Sequence, residues 1–172
     1  MTQNPTTIRL AVRADADAIA EMANQLNRFH NNPDDLYSAR LIEAEAFDGA
    51  PLFSVLVAEC DGALAGYAFF QDCFNSEAAA RGVWLLDLFV REPARRQGVG
   101  RDLLAAVARE TVARGGMSLF LAVLSDNQGA RAFYTEFGAR DGDADIVELE
   151  LGGESLTGLA QAARELAQAA RE

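Results

Sequence analysis

Across residues 6–12, Ile8, Leu10 and Val12 alternate with other residues, the period of a strand with one buried face. The period then lengthens. Ile19, Met22, Ala23 and Leu26 recur three and four residues apart behind Asp15, which predicts a helix capped by Asp15 and running to about Phe29. Asn31-Asn32-Pro33 breaks it. Pro33 suits the first position of a second helix reaching Phe47, with Asp34 and Asp35 favourable at its positive end and Asp48-Gly49-Ala50-Pro51 as its stop. Residues 52–60 and 63–71 are β-rich runs joined by Asp61-Gly62, a tight-turn pair, and therefore predict a hairpin. A polar, alanine-rich loop is expected over 72–82. The run from Val83 to Val90 is almost continuously apolar, as in a strand buried on both faces.

Further on, the pattern predicts an amphipathic helix over 99–114, stopped by Gly115-Gly116, and a buried strand over 117–124. A short helix over 128–137 ends at Gly138, and an alternating strand follows over 145–151. From Glu154 the pattern is helical again, with Leu156, Leu159, Ala163, Leu166 and Ala170 on one stripe. Such a stripe packs on its own domain or joins two copies of the chain as a homodimer. The order of elements predicts one α+β domain over 6–151, with hairpin and crossover connections, and a helical extension over 152–172.

Composition narrows the function classes. The 172 residues carry a net charge of −11, and all 15 basic residues are arginine. Without lysine there is no P-loop lysine, which removes most nucleoside-triphosphate chemistry. Acidity argues against nucleic acid as a partner. No apolar run approaches the ~20 residues of a membrane span, and the polar start, Met1 to Pro5, carries no signal-peptide pattern. A cytoplasmic protein without membrane partners is expected. His30 is the only histidine, and Cys60 and Cys73 are the only cysteines, so neither a metal site nor a cysteine nucleophile is expected. His30 is expected to be a partly exposed side chain closing a helix.

The chemistry concentrates after Val90. A buried strand ends there, and Arg95-Arg96-Gln97-Gly98-Val99-Gly100 opens directly into a helix. The first amides of a helix lack intrahelical partners and sit at the positive end of its dipole. Glycines let a phosphate approach that main chain, and Arg95 and Arg96 add charge. A dinucleotide fingerprint would need glycine at position 103, where the chain has Leu103, and would lie near the first strand. Neither condition is met.

Leu88-Phe89-Val90, Pro93, Arg95-x-x-Gly98-x-Gly100 and Leu103-Leu104 resemble the acyl-CoA-binding motif of the GNAT N-acetyltransferase superfamily. Asn127, Ala130, Phe133-Tyr134 and Phe137-Gly138 are similar to the segment after that family's fifth strand, and Ile8-Arg9-x-Ala11 with Asp15 and Asp17 is similar to its entry. The resemblance spans about 6–151. It implies a mixed, mostly antiparallel sheet of six or seven strands flanked by helices, with acetyl-CoA bound where the fourth and fifth strands splay. On matching positions, the amides of Arg96, Gln97, Gly98, Val99 and Gly100 would hold the pyrophosphate, with Arg95 beside them. The main chain of Leu88, Phe89 and Val90 would pair with the pantetheine arm.

By the same resemblance, Asn127 would bond the pantetheine or cap the last helix. Tyr134 would lie near the sulfur and protonate the departing thiolate, or else be a core tyrosine. Direct transfer to a primary amine in a ternary complex is implied, the amine being a small molecule, amino-acid-like or peptidic. A non-catalytic acyl-CoA sensor is the alternative.

Tyr67-Ala68-Phe69-Phe70 and the strand up to Asp87 are similar to the diamine/polyamine branch, which commonly has two adjacent acids where this chain has Leu86-Asp87. Alternation predicts Trp84, Leu86 and Leu88 on one face and Asp87 on the other. Trp84 and Leu86 are candidate substrate contacts. Asp87 is the candidate base, acting directly or through water, or a brace for the neighbouring loop.

Overall fold

A computed structural model describes residues 6–142, 153–158 and 160–161. The chain forms two compact units, Met1–Leu124 and Ser125–Glu172. In the first, a five-stranded sheet has the order β1 (Thr7–Leu10), β2 (Ser54–Cys60), β3 (Ala63–Asn75), β4 (Ala80–Val90) and β5 (Ser118–Leu121). All neighbours are antiparallel except β4 and β5, which are parallel. Six or seven strands were expected. Five lie among the described residues, and the strand predicted over 145–151 falls outside them. Asp61 (φ 51°) and Gly62 (φ 77°) take the left-handed backbone that a two-residue hairpin turn requires, so β2 and β3 pair as predicted.

One face of the sheet is covered by α1 (Ala16–Phe29) and α2 (Ala39–Ala46). Ile19, Met22, Ala23 and Ile42 bury against Val55, Val57, Tyr67, Phe69 and Phe89. The opposite face, with buried Leu56, Ala68, Phe70 and Leu85, meets α3 (Val99–Ala113) through Leu103 and Val107. Arg114, just past α3, lies 4.9 Å over the Phe70 ring. Gly66 on β3 lets this layer close. A Cβ there would stand 2.6 Å from the Phe89 carbonyl oxygen and 3.2 Å from Leu103 Cδ1. Gly66→Ala is therefore expected to lower stability by ~2 kcal/mol, read from chemical denaturation, because backbone must move to admit one methyl group.

Three local expectations change. Residues 33–38 are not helical, and α2 begins behind Ser38, whose hydroxyl accepts from the Leu41 amide at 3.2 Å. Asn24 on α1 holds Tyr37 by both backbone groups, donating to its carbonyl at 2.8 Å and accepting from its amide at 2.9 Å. That clasp fixes the segment in an extended path and outweighs the pull of Pro33 toward a helix. Asp34, expected at the positive end of that helix, precedes α2 by five residues and pairs with Arg28.

Asp15 precedes α1, but its carboxylate accepts from Arg9 and from the Val12 amide rather than capping the helix. The loop expected over 72–82 is largely ladder, since β3 and β4 continue to Asn75↔Ala80. Asn75 closes their turn by accepting from the amides of Glu77 and Ala78. No helix among the described residues is long and apolar enough to cross a membrane.

The second unit holds α4 (Gln128–Glu136), ended by Gly138 at φ 89°. Residues 153–158 and 160–161 are helical, with Leu156 half exposed. The rest of the predicted apolar stripe lies outside the described residues.

Candidate active site

The splay of the sheet is visible in its register. β4 pairs with β5 only from Gly82↔Ser118 to Leu85↔Leu121. Residues 87–90 then pair with β3 alone among the described residues, leaving one edge of Leu88, Phe89 and Val90 without a neighbouring strand. An open strand edge offers amides and carbonyls to an extended ligand arm.

Directly beyond that edge lies the arginine and glycine loop. A single 3-10 turn, Glu92–Ala94, follows β4, and α3 starts at Val99 with Gly98 as its N-cap. Arg96 at φ 60° and Gly98 at φ 88° both take left-handed backbone. Gly98 does so without a side-chain penalty, while Arg96 carries a strain of ~1–2 kcal/mol. This tight entry turns the opening amides of a 15-residue helix outward at its positive end. Val99 is buried and anchors the turn, and Arg95, Arg96 and Gln97 are exposed.

Arg95 does more than add charge. Its Nε donates to the Val90 carbonyl at 2.8 Å, and its guanidinium stands 5.8 Å over the Phe89 ring, tying the loop to the end of the open strand. Gln97 Nε2 donates to the Pro93 carbonyl at 2.7 Å.

Asp87 departs from its expected face. The register shifts between Phe69↔Asp87 and Phe70↔Leu85, so Leu86 is an extra residue, a bulge. Trp84 pairs with Gln71 and Asp87 with Phe69. Both partners lie on the same side of β3, and so do Trp84 and Asp87. Leu88, opposite Ala68, lies on the other side. Simple alternation fails because the bulge inserts one residue. At 36% and 42% exposure, Trp84 and Leu86 are not core residues. Trp84 stacks at 6.2 Å on Phe120.

The bulge delivers Asp87 to the α1 side, among residues absent from the sequence-based set. The Tyr67 hydroxyl donates to Asp87 Oδ2 at 3.1 Å. Burial pushes the Asp87 carboxyl above its ordinary value, opposed by the Tyr67 hydrogen bond and the nearby charge of His30. Burial, joined by the Asp87 charge, raises the hydroxyl of Tyr67 well above 10 and also raises that of Tyr37. A partly buried carboxylate with raised proton affinity, beside two phenols, is a stronger base than a surface carboxylate and is suited to accept a proton. Tyr67 was legible only as part of an apolar strand, and Tyr37 sat in the segment predicted as helix. Two other carboxylates on β2 and β3 are engaged in surface ion pairs, Glu59 with Arg9 and Asp72 with Arg114.

Asn127 and Tyr134 belong to the second unit. Asn127 caps α4, its Oδ1 accepting from the Ala130 amide at 3.0 Å. Tyr134 is half-buried on α4, its ring 5.1 Å from that of Phe133. Among the described residues, no group of three or more His, Cys, Asp or Glu is placed to hold a metal ion.

The acetyltransferase (GNAT) family matches residues 19–139. Thialysine N-epsilon-acetyltransferase from Sus scrofa is 30% identical over 169 residues, covering 93% of this chain and 96% of that protein. L-ornithine N5-acetyltransferase from Arabidopsis thaliana is 38% identical over 80 residues, 46% of this chain and 35% of that protein. Among solved structures, an integron cassette protein from the mobile metagenome of V. cholerae has the same fold, with a TM-score of 0.75 at 21% identity over 90% of this chain and 97% of that one.

Proposed function

The chain belongs to the GNAT acetyltransferase family, and from that premise we propose that it transfers an acetyl group from acetyl-CoA to the primary amine of a small molecule. The observation that carries this is the continuity of an open β4 edge over 86–90 with a left-handed, arginine-flanked entry into α3. An unpaired strand edge suits an amide-bearing arm, and a helix N-terminus suits a pyrophosphate. These two requirements of coenzyme A meet in one short stretch of chain.

In this reading the amides of Arg96 to Gly100 hold the pyrophosphate, with Arg95 fixing their distance from the strand. The main chain of Leu88, Phe89 and Val90 binds the pantetheine arm, and amides near Leu88 and Phe89 polarise the carbonyl as it gains charge. Asn127 caps α4 and thereby orders the loop that leads into it. When bound, acetyl-CoA supplies an acetyl group activated as a thioester. Asp87 Oδ takes a proton from the incoming ammonium, directly or through water, and Tyr67 holds that carboxylate in place. The phenol of Tyr134 gives a proton to the departing sulfur. Trp84, two residues before the bulge, and Leu86, the bulged residue itself, are exposed apolar side chains that form a wall for the acceptor. The acetyltransferase domain is assigned to 6–151, with 152–172 as an extension.

Steady-state kinetics over a panel of primary amines test the proposal. Intersecting double-reciprocal lines for donor and acceptor are expected, since transfer is direct; parallel lines would indicate a covalent enzyme intermediate and contradict it. Tyr134→Phe is expected to lower kcat by about 100-fold with little change in acetyl-CoA affinity. Unchanged kcat would remove Tyr134 from the acid role.

A further inference from the structure

Residues 31–38 run exposed between α1 and α2, with one exception: Tyr37 is half-buried. Its place is fixed from two sides. The Asn24 side chain holds its backbone by the amide, at 2.9 Å, and by the carbonyl, at 2.8 Å. Its ring lies 6.1 Å from the ring of Phe69.

Phe69 ties this loop to the acid. It is the cross-strand partner of Asp87, and its ring lies 4.4 Å from that of Tyr67, whose hydroxyl donates to Asp87. Tyr37 from the loop, Tyr67 from β3 and Asp87 from β4 therefore converge around one phenylalanine on the α1 side of the sheet. The charge of Asp87 acts on the hydroxyls of both tyrosines, and that of Tyr37 acts on Tyr67.

The two phenols differ in one respect. Tyr67 is fully buried and bonded to the carboxylate. The Tyr37 hydroxyl is not enclosed, and among the described residues it makes no hydrogen bond. It lies near enough to Asp87 to feel its charge and too far to bond it, which leaves a gap between a phenol oxygen and a carboxylate. A phenylalanine would pack on Phe69 as well, so packing alone does not account for the hydroxyl.

We propose that Tyr37 is an acceptor-binding residue whose hydroxyl oxygen accepts a hydrogen bond from the acceptor's ammonium group while a second N–H of that group faces Asp87. The inference rests on the acetyltransferase reading of the Asp87 site and adds to it the group that orients the amine. An ammonium nitrogen carries three N–H donors, so it bridges two oxygens and still points its carbon chain away from both. Burial, joined by the Asp87 charge, raises the Tyr37 hydroxyl and keeps it a neutral phenol. A neutral oxygen orients the ammonium without adding a second negative charge. A second charge would favour the protonated amine, the form that cannot attack.

Initial rates on the full chain test this, with L-lysine, 1,4-diaminobutane and 2-phenylethylamine as acceptors and the one the wild type acetylates fastest carried forward. Tyr37→Phe keeps the ring and its contact with Phe69 and removes only the hydroxyl. It is expected to raise the acceptor KM about tenfold or more, the worth of one hydrogen bond to a charged group. The KM for acetyl-CoA and the melting temperature are expected to stay unchanged. An acceptor KM equal to that of the wild type would overturn the proposal. Equal rises in both KM values with a lowered melting temperature would also overturn it, by making Tyr37 structural. The acetyltransferase reading is judged on the wild type alone. Transfer to none of the three amines would strike that reading and this inference with it, whereas transfer unaffected by Tyr37→Phe strikes the inference only.

Discussion

Asp87→Asn is expected to cut turnover of a primary amine by about 100-fold or more while leaving the protein as stable as before, or more so. The two effects share one cause. Burial raises the Asp87 carboxyl above its ordinary value, so the folded state binds this proton more tightly than the unfolded chain does. Stability from this group is then fully present below the ordinary carboxylate pKa and is lost as pH rises through the raised one. Above the raised pKa, ionisation of this group opposes folding. Asparagine removes that charge and still accepts the Tyr67 hydroxyl bond, which spans 3.1 Å in the native site.

Turnover runs the other way. Asp87 must be ionised to take the ammonium proton, so kcat/KM falls as pH drops through the raised carboxyl pKa. In Asp87→Asn that acid limb is expected to vanish along with most of the rate. Melting temperature, kcat and the pH profile, measured on one preparation, check all three consequences. A variant that is both inactive and markedly less stable would make Asp87 a structural brace instead.

Arg95→Ala with Gly98→Ala is expected to raise the KM for acetyl-CoA about 100-fold, with a smaller change in kcat. Arg95 holds the loop to β4 through the Val90 carbonyl and the Phe89 ring. Gly98 sits at φ 88°, where alanine is strained by ~1–2 kcal/mol, and its added Cβ would lie 3.2 Å from an Arg101 guanidinium nitrogen. Loss of a charge-assisted hydrogen bond adds ~1.5–3 kcal/mol, and the low end of the sum, for an exposed arginine, is about two decades in affinity. The amide cradle at the start of α3 loses its shape, while Asp87 on the strand is untouched. Equal donor KM in the variant and wild type, measured by initial rates, would detach the glycine loop from donor binding.

Sequence pattern carried much of the fold because most elements are locally determined. The β2–β3 hairpin needs only two left-handed turn residues between apolar runs, and α3 needs only its stripe and the Gly115-Gly116 stop. The errors arise where distant residues decide. Asn24, from α1, holds Tyr37 outside the helix that Pro33 and two aspartates favour. The continuation of β3 and β4 through 72–82 depends on partners that are close only in the fold. Gly82 there faces Phe120 and Cys73, with no room for a Cβ.

The candidate site divides in the same way. The donor loop was legible because its chemistry is carried by main chain, two glycines and two arginines in sequence. The acceptor side was not, because one bulge at Leu86 reverses the face of Asp87. Nothing in an apolar run announces a bulge. Tyr67, Tyr37 and His30 come from three separate segments that only the fold brings near Asp87.

Calorimetric titration of the wild-type chain with acetyl-CoA tests the central claim most directly. Saturable binding in the micromolar range, at one donor per chain and weakened by the Arg95→Ala, Gly98→Ala substitutions, is the predicted result. Absence of binding would contradict the account, leaving the glycine loop a simple helix entry and the open edge of β4 without a ligand.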